Sequence, residues 1–465
     1  MHKLLLTAVG AALAITSPAA AQSAQERLDG RYDYALAAGY KALMLCSAIA
    51  NAEANGTTRT PESVHEWELR GIQAPLDDIV RELPYEIVRE GRNSAGVIDH
   101  VTVTWADDAD PRIARHYPGR GCVGLPIGMD LAGAPERKSL DDQPVPIAFA
   151  VPAPPPSNTR SILRAAFGAG YGEGHRTTAI IVRKDGRPID WETAPGFTLF
   201  TPQRTWSVAK SIAATVVGAA VHRDGVQVSD TARLGGENSI DPRRAITIDH
   251  ALRMASGRYS DTAGNRTDPL YWGGTTVDER AQNWPLINEP GTVFRYANND
   301  TLAAVQAIEM TFLDHPPSQL LRSLGMNDTV AETDWQGNYV LSSQVWSTAD
   351  DLARLGQLYL DNGVLPDGTR ILPENWRDYV SDPSGPQPQG RQWGYGAGWW
   401  TFRRPEGNAF EGIPDDAFAA RGNRGQYVVV VPSRNVVIVR RGEDMVGTRF
   451  DIAAFTRDVL AALEQ

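Results

Sequence analysis

The segment Ser207–Val221, with the sequence SVAKSIAATVVGAAV, is nearly all apolar and has the length of a helix. A helix that is apolar on every side has to be buried in the core of a folded domain. Its single charged residue is Lys210, which is also the only lysine after Lys184. Five of the 45 Lys and Arg residues are lysines, so a chain that uses arginine almost everywhere has kept a lysine in this helix.

Ser207 precedes Lys210 by three residues, and this spacing places both side chains on one face of the helix, at its start. A serine hydroxyl is a weak nucleophile until a base removes its proton. Burial can lower the pKa of a lysine to ~7–8, so that its neutral amine becomes such a base, whereas arginine stays protonated. The pair is therefore predicted to be a nucleophile and its base. The alternative interpretation is that Ser207 caps a core helix and that the Lys210 side chain extends to solvent.

Two later segments carry side chains and backbone that would complement this pair. Tyr296 and Asn298 form a Tyr-x-Asn pattern after a Pro-Gly turn. Tyr296 is suited to relay protons to a leaving group, and Asn298 to hydrogen-bond both the substrate and Lys210. The segment Gly422–Gly425 stands directly before a predicted strand, and its small residues would let a backbone N–H approach a substrate carbonyl oxygen.

Strand patterns stand at both ends of residues 160–465. Thr177–Trp191 and Gln426–Arg440 each consist of two apolar or β-branched runs around a turn, which predicts two hairpins. Arg449–Leu463 has the apolar spacing of an amphipathic helix, and about 230–380 is mostly helical in pattern. This order predicts an α+β fold, in which helices flank an antiparallel β-sheet that is closed by its terminal strands and interrupted by a helical insertion.

The rest of the chain divides at a proline-rich stretch. Residues 1–21 combine a positive start, a short apolar run and an Ala-x-Ala site, which is typical of a signal peptide. Residues 22–142 are predicted to form a small α/β N-terminal domain, and residues 143–159 contain six prolines, as expected of an extended linker. The hydrolase-like domain would then span 160–465.

The composition limits the cellular compartment in which the protein is expected and the partners that it is expected to bind. With export predicted, to the periplasm or outside the cell, Cys46 and Cys122 are expected to form one disulfide. Two cysteines and the absence of a His-Glu-x-x-His pattern disfavour a metal site, and no cofactor is expected. A net charge of −11 without a basic run makes nucleic acid an improbable partner, and no segment after the signal peptide approaches 18 consecutive apolar residues, so no membrane span is expected.

In this order, Ser207-x-x-Lys210, Tyr296-x-Asn298 and the glycine-rich segment resemble the serine β-lactamase and penicillin-binding-protein superfamily, especially its class C-like branch. That branch includes esterases and 6-aminohexanoate-dimer hydrolases, and the resemblance extends from about Ala165 to the C-terminus. It implies an acyl-enzyme mechanism in which Ser207 attacks a carbonyl, Lys210 takes the proton and Tyr296 assists the leaving group. It also implies an oxyanion hole made of the backbone N–H groups of Ser207 and Asn423.

The third element departs from the superfamily pattern. β-Lactamases and transpeptidases carry Lys-Thr/Ser-Gly or His-x-Gly there, whereas this chain has Arg421, Gly422, Asn423, Arg424 and Gly425. Arg424 or Arg421 is expected to take the place of that lysine in holding a substrate carboxylate, and the glycine pattern looks more like the dimer-hydrolase and esterase members. The resemblance therefore favours hydrolysis of a small ester, amide or short peptide-like substrate. A D,D-peptidase or β-lactamase, and a non-catalytic penicillin-binding-like receptor, remain alternatives.

Overall fold

The computed structural model of the protein describes residues 18–90, 96–136, 155, 157–236, 240–259 and 268–464, with side chains from Ser23 onward. The predicted signal peptide lies outside these residues except for its last four. The predicted linker is described only at residues 155 and 157–159.

The helices are short except for the first, which has 37 residues, and two central ones. In chain order they are α1 (Pro18–Ala54), α2 (Pro61–Trp67), α3 (Leu76–Val80), α4 (Arg160–Ala165), α5 (Val208–Arg223), α6 (Ile248–Leu252), α7 (Asp268–Tyr271), α8 (Val277–Ala281), α9 (Asn298–Ala307), α10 (Pro317–Ser323), α11 (Ala349–Leu360), α12 (Trp376–Ser381) and α13 (Ile452–Ala462).

The strands form two larger sheets and several short pairings. In chain order they are β1 (Tyr85–Arg89), β2 (Ile98–Val103), β3 (Arg112–Tyr117), β4 (Gly121–Gly124), β5 (Thr177–Lys184), β6 (Arg187–Thr193), β7 (Gln203–Arg204), β8 (Val330–Ala331), β9 (Val345–Ser347), β10 (Gly394–Tyr395), β11 (Trp400–Thr401), β12 (Arg403–Arg404), β13 (Gly407–Asn408), β14 (Phe418–Gly422), β15 (Gln426–Val431) and β16 (Val436–Gly442).

The larger sheet has seven antiparallel strands in the order β10-β11-β14-β15-β16-β5-β6. The predicted hairpins are β5–β6 and β15–β16, and they join through β16 and β5, where Arg440 pairs with Ile180. All residues of β15 and β16 are buried, which explains their unbroken runs of valine and isoleucine. The predicted α+β fold, with a sheet closed by its terminal strands, is confirmed.

Helices cover both faces of this sheet. On one face, α5 and α11 share a hydrophobic cluster with the side chains of β14, β15 and β16 that point toward them. On the other face, α4 and α13 pack over the alternate side chains of the same strands. Residues 208–220 of α5 are all buried, as the apolar segment predicted. The start of α5 therefore lies at the end of the sheet, between its edge and the helical insertion.

The N-terminal region consists of α1, two short helices and the antiparallel sheet β1-β2-β3-β4. Cys46 on α1 and Cys122 on β4 form a disulfide. Within the described residues, one helical segment, Ser23–Ala54, is long and apolar enough to cross a membrane, and its most apolar 18-residue window is fully buried inside the protein. The apolar character of α1 is therefore used in packing.

The core of the N-terminal region is shared with the rest of the chain. Its hydrophobic cluster includes Trp206, Trp272, Leu302 and Trp346, which all come from the later part of the sequence. The ring of Tyr40 on α1, for example, meets the ring of Trp272 edge-on at 4.9 Å between centroids. The two regions proposed as domains thus pack as one body, with the N-terminal region directly behind the start of α5.

Candidate active site

Ser207 is the N-cap residue of α5, at the point where β7 ends and the buried helix begins. The residue before it, Trp206, has a left-handed backbone with φ of 51°, which is uncommon for a bulky residue and marks a locally constrained site. The guanidinium carbon of Arg204 lies 3.9 Å from the centroid of the Trp206 indole and supports it from below. Packing around Trp206 therefore fixes the path of the chain between β7 and Ser207.

Lys210 extends from the first turn of α5 toward Ser207. Its ammonium nitrogen Nζ lies 3.2 Å from Ser207 Oγ, 2.6 Å from Asn298 Oδ1 and 2.8 Å from the backbone oxygen of Ser342. The side chain is 1% exposed, and this burial lowers the pKa of Lys210 from its usual value to about 7. The structure thus brings a buried amine with a lowered pKa to the serine hydroxyl.

The carbonyl of Ser342 is held by residues that no sequence motif marks. Tyr271 Oη and Ser342 Oγ are 2.9 Å apart, and Arg204 donates to the backbone oxygen and the hydroxyl of Ser343. The same Arg204 stacks on Trp206. One buried arginine therefore contacts both the residue before Ser207 and the turn that accepts a hydrogen bond from Lys210.

Tyr296 forms the opposite wall, beside Trp400 and Tyr395. Lys210 Nζ lies 5.0 Å from the centroid of the Tyr296 ring. Burial raises the pKa of Tyr296 to about 12, although a hydrogen bond with the Ser207 side chain and the charge of Arg421 each lower it somewhat. Its hydroxyl is therefore protonated at neutral pH and adjacent to the serine.

The third predicted element borders the cleft through its first residues. A Cβ atom on Gly422 would lie 3.2 Å from the backbone nitrogen of Ser207 and would collide with the carbonyl oxygen of Thr205. Only a glycine lets β14 approach the start of α5 so closely. This approach leaves Asn423 exposed on the cleft wall next to Ser207.

Arg424 and Gly425 are placed elsewhere. Arg424 has a left-handed backbone, and its guanidinium is buried against Glu443 Oε2, at 2.6 Å, and the carbonyl oxygens of the α2–α3 segment, residues 67, 70 and 71. Gly425 packs against Arg440 and Asp444. Neither residue lines the cleft, because the turn after Gly422 directs both away from it. Of the two arginines that were expected as alternatives, Arg421 lines the cleft and Arg424 does not.

The cleft has a volume of about 640 Å³ and is largely aromatic. Several of its residues were not predicted, because their contribution depends on tertiary packing and leaves no sequence signature; they are Gln73, Trp206, Asp268, Tyr271, Trp272 and Arg391. Gln73 comes from the N-terminal region, which therefore supplies part of the wall. Among the residues that the structure describes, no group of three or more His, Cys, Asp or Glu side chains could hold a metal ion.

Comparison with known proteins gives the following matches. The model of the beta-lactamase family matches residues 163–463. The solved structure named "Putative 6-aminohexanoate-dimer hydrolase from Bacillus anthracis" shares 21% identity at a TM-score of 0.52, covering 62% of this chain and 80% of that chain. The "putative beta-lactamase from Bacteroides dorei" also shares 21% identity at a TM-score of 0.52, covering 66% of this chain and 98% of that one. These structures are similar in fold. No curated protein sequence gives a significant match.

Proposed function

Since the chain belongs to the beta-lactamase family, we propose that it is a serine hydrolase that cleaves an ester or a small amide bond through an acyl-enzyme on Ser207. The observation that carries the proposal is the contact of 3.2 Å between Lys210 Nζ and Ser207 Oγ, at the wall of a cleft large enough for a small substrate. The alternative, a capping serine beside a solvent-exposed lysine, does not suit an amine that is 1% exposed.

In the first step, Ser207 Oγ attacks the substrate carbonyl while its proton passes to the neutral amine of Lys210. A pKa of about 7 means that roughly half of the amines are neutral at pH 7, whereas an ordinary lysine near ~10.4 would be almost entirely charged. Asn298 Oδ1 and the Ser342 carbonyl accept from the amine, so they hold it in place before and after it takes the proton.

Tyr296 is assigned to the transfer of that proton. Its hydroxyl is hydrogen-bonded to the Ser207 side chain and stays protonated at neutral pH. It gives its proton to the oxygen or nitrogen of the leaving group and recovers one from the Lys210 ammonium. In deacylation, water attacks the carbonyl carbon of the acyl-enzyme ester, and its proton passes to Lys210 or Tyr296. The bond to Ser207 Oγ then breaks, Ser207 Oγ takes up a proton, and the carboxylic acid is released.

Two backbone N–H groups, those of Ser207 and Asn423, are assigned to stabilise the negative charge that develops on the substrate oxygen. The first lies at the start of α5, where N–H groups have no partner within the helix. The second follows Gly422, whose lack of a side chain brings the end of β14 against Ser207. Donors fixed in this way stabilise the tetrahedral intermediate without reorganising during the reaction.

The cleft favours a small and partly apolar substrate. Trp206, Trp272 and Trp400 offer flat apolar surfaces, and Arg421 offers a cation at the end of β14. A cation at this place also suits a substrate with a carboxylate, which keeps a D,D-peptidase or β-lactamase as the second candidate.

We also propose that the protein acts outside the cytoplasm, in the periplasm or after secretion. The sequence of residues 1–21 and the disulfide between Cys46 and Cys122 support this location. Residues 22–142 are assigned to an accessory domain, which contributes Gln73 to the cleft wall.

The test is the intact mass of the purified protein after brief incubation with p-nitrophenyl butyrate and, separately, with a penicillin. We expect a butyryl adduct on the wild type and none on Ser207→Ala, with adduct formation also lost in Lys210→Arg. An adduct with penicillin alone would support the second candidate. Neither an adduct nor turnover with either reagent, in a protein of unchanged thermal stability, would contradict the hydrolase and favour a receptor.

A further inference from the structure

A second cavity, of about 730 Å³, lies on the α13 side of the large sheet. Its walls are the first turn of α13, the loop that contains Phe410, and the end of β14 at Arg421. Trp393, Phe410, Ile413 and Phe450 contribute apolar side chains to a lining that is otherwise largely polar or charged. The volume is in the range of small-molecule sites, and it is larger than that of the cleft at Ser207.

Two arginines face this cavity without a carboxylate partner. Within the described ranges, no carboxylate oxygen that forms an ion pair with Arg421 or Arg449 lies within 4.0 Å, and Arg421 is held by aromatic rings, its guanidinium carbon lying 4.1 Å from the centroid of Trp393 and 5.1 Å from that of Trp400. Burial lowers the pKa of Arg421 from its usual value, and the charge of Arg449 lowers it further. Two neighbouring cations of this kind are stabilised by an anion placed between them.

The acidic residues at the cavity are mostly engaged with other groups. Asp451 caps α13, its Oδ1 accepting from the Ala454 N–H at 3.0 Å. Asp458 accepts from Tyr171 Oη at 3.0 Å and pairs with Arg457 at 3.3 Å. Glu411 is exposed to solvent. These carboxylates keep their negative charge, but within the described residues none of them forms an ion pair with Arg421 or Arg449, so both guanidinium groups are available to an anion from outside.

We propose that this cavity binds a small organic carboxylate with an apolar body and that Arg421 couples its occupancy to the cleft at Ser207. The guanidinium groups of Arg421 and Arg449 hold the carboxylate, since planar N–H donors match its two oxygens. Trp393, Phe410 and Phe450 hold the apolar part. A carboxylate without an apolar body would leave the apolar side chains in contact with water. A neutral hydrophobic molecule would leave the two guanidinium groups without an anion.

The coupling follows from the position of Arg421, which lines both spaces. Its charge acts on Tyr296, which is bonded to Ser207. A carboxylate at the second cavity neutralises part of that charge, so the Tyr296 hydroxyl becomes a poorer proton donor and turnover falls. With a substrate that has no carboxylate, such as p-nitrophenyl butyrate, the ligand is accordingly expected to lower kcat without competing for the substrate.

The probe is 4-phenylbutyrate, with 4-phenylbutan-1-ol as its neutral match, and binding is measured by calorimetry on the Ser207→Ala protein, so that the result does not depend on hydrolysis. We expect saturable binding of the acid and at least tenfold weaker binding of the alcohol. Arg449→Gln and Ala454→Phe, which remove a cation and fill the cavity, should each weaken binding of the acid about tenfold or more. Thermal unfolding of each variant checks that it is folded.

Two arginine controls locate the ligand. The first control is Arg187→Gln, at an exposed position of β6. The second is Arg391→Gln, at a residue that lines the cleft but not the second cavity. Both variants should bind the acid with unchanged affinity. Loss of binding in Arg391→Gln but not in Arg449→Gln would place the ligand in the cleft and overturn the proposal. Absence of binding, or equal binding of acid and alcohol, would overturn it as well. If binding is seen but kcat is unaffected at saturation, the coupling through Arg421 is wrong.

Discussion

Among the residues that the structure describes, two lysines are buried, each in a long apolar helix, and the two side chains have different hydrogen-bond partners. Lys41 of α1 and Lys210 of α5 are each 1% exposed, and each Nζ lies 5.0 Å from the centroid of a tyrosine ring. Burial lowers the pKa of Lys41 to about 8 and that of Lys210 to about 7. By depth and acidity the two amines are nearly equivalent.

Their partners differ. Lys41 donates to the backbone oxygens of Arg81 and Leu83, at 3.0 and 2.7 Å, and so joins α1 to the segment between α3 and β1. Lys210 has one backbone acceptor as well, but it also contacts a serine hydroxyl at the wall of a cleft. The comparison teaches that burial alone does not identify a base; a nucleophile within reach and access for a substrate do.

If Lys210 acts as a base and Lys41 does not, replacing each lysine by arginine should change kcat/KM to very different extents. Lys210→Arg keeps a cation but cannot accept a proton, so kcat/KM for p-nitrophenyl butyrate should fall roughly 10²–10⁴-fold. Lys41→Arg should change kcat/KM less than about threefold, as measured in the same steady-state assay. A comparable loss in both variants would mean that the fold, and not the chemistry of Lys210, limits the rate.

The carboxamide of Asn298 sharpens the distinction, because its oxygen lies 2.6 Å from Lys210 Nζ. Asn298→Asp places a negative charge there at nearly the same volume, and an adjacent opposite charge raises a lysine pKa by roughly 1–3 units. We expect activity at pH 7 to fall about tenfold or more and the acid limb of the kcat/KM profile to move upward in pH. Asn298→Ala, which adds no charge, serves as the control and should not move the limb upward.

The structural role of Lys41 predicts a loss of stability without a loss of activity. Lys41→Met removes the donor to two carbonyl groups, of which that of Leu83 is buried, and this costs roughly 1–3 kcal/mol in the free energy of unfolding. Urea denaturation measures this change. A variant as stable as the wild type would show that the two hydrogen bonds contribute nothing net.

The smallest expected effect is the pH dependence of the unmodified protein. Only the neutral amine of Lys210 accepts a proton, so with a pKa of about 7 the active fraction rises roughly tenfold between pH 6 and 8 and then levels off. Because the pKa of Tyr296 is raised to about 12, its deprotonation adds no alkaline decline below pH 10. A profile that still rises steeply at pH 9–10 would indicate an unshifted lysine.

Local patterns accounted for much of the fold and for part of the candidate site. The valine-rich hairpins and the apolar helix at Ser207 were predictable because burial on both faces leaves uninterrupted apolar runs. The approach of Lys210 to Ser207 follows from the helical repeat alone, since residues three apart share a face. Tyr296 and Asn298 were proposed from the chemistry of their side chains and from the resemblance to a superfamily, since no local rule connects them to Lys210 across about ninety residues.

The failures have a common physical origin in tertiary geometry. Arg421 and Arg424 are chemically identical, and which of them faces the cleft depends on the left-handed turn at Arg424, which no pattern announced. Arg204 and the Ser342 carbonyl are held by long-range packing. The proline-rich stretch predicted a domain boundary, and it gave no sign that Trp206, Trp272 and Trp346 would share the hydrophobic cluster around α1.

That shared cluster has a consequence for biogenesis. A chain is made from its N-terminus, and the first 142 residues emerge without the tryptophans that close their core. The cluster around α1 is therefore complete only after residue 346 has also been made. For a protein that is proposed to act outside the cytoplasm, the segment that is made first thus depends on the last-made parts of the cluster to close its core.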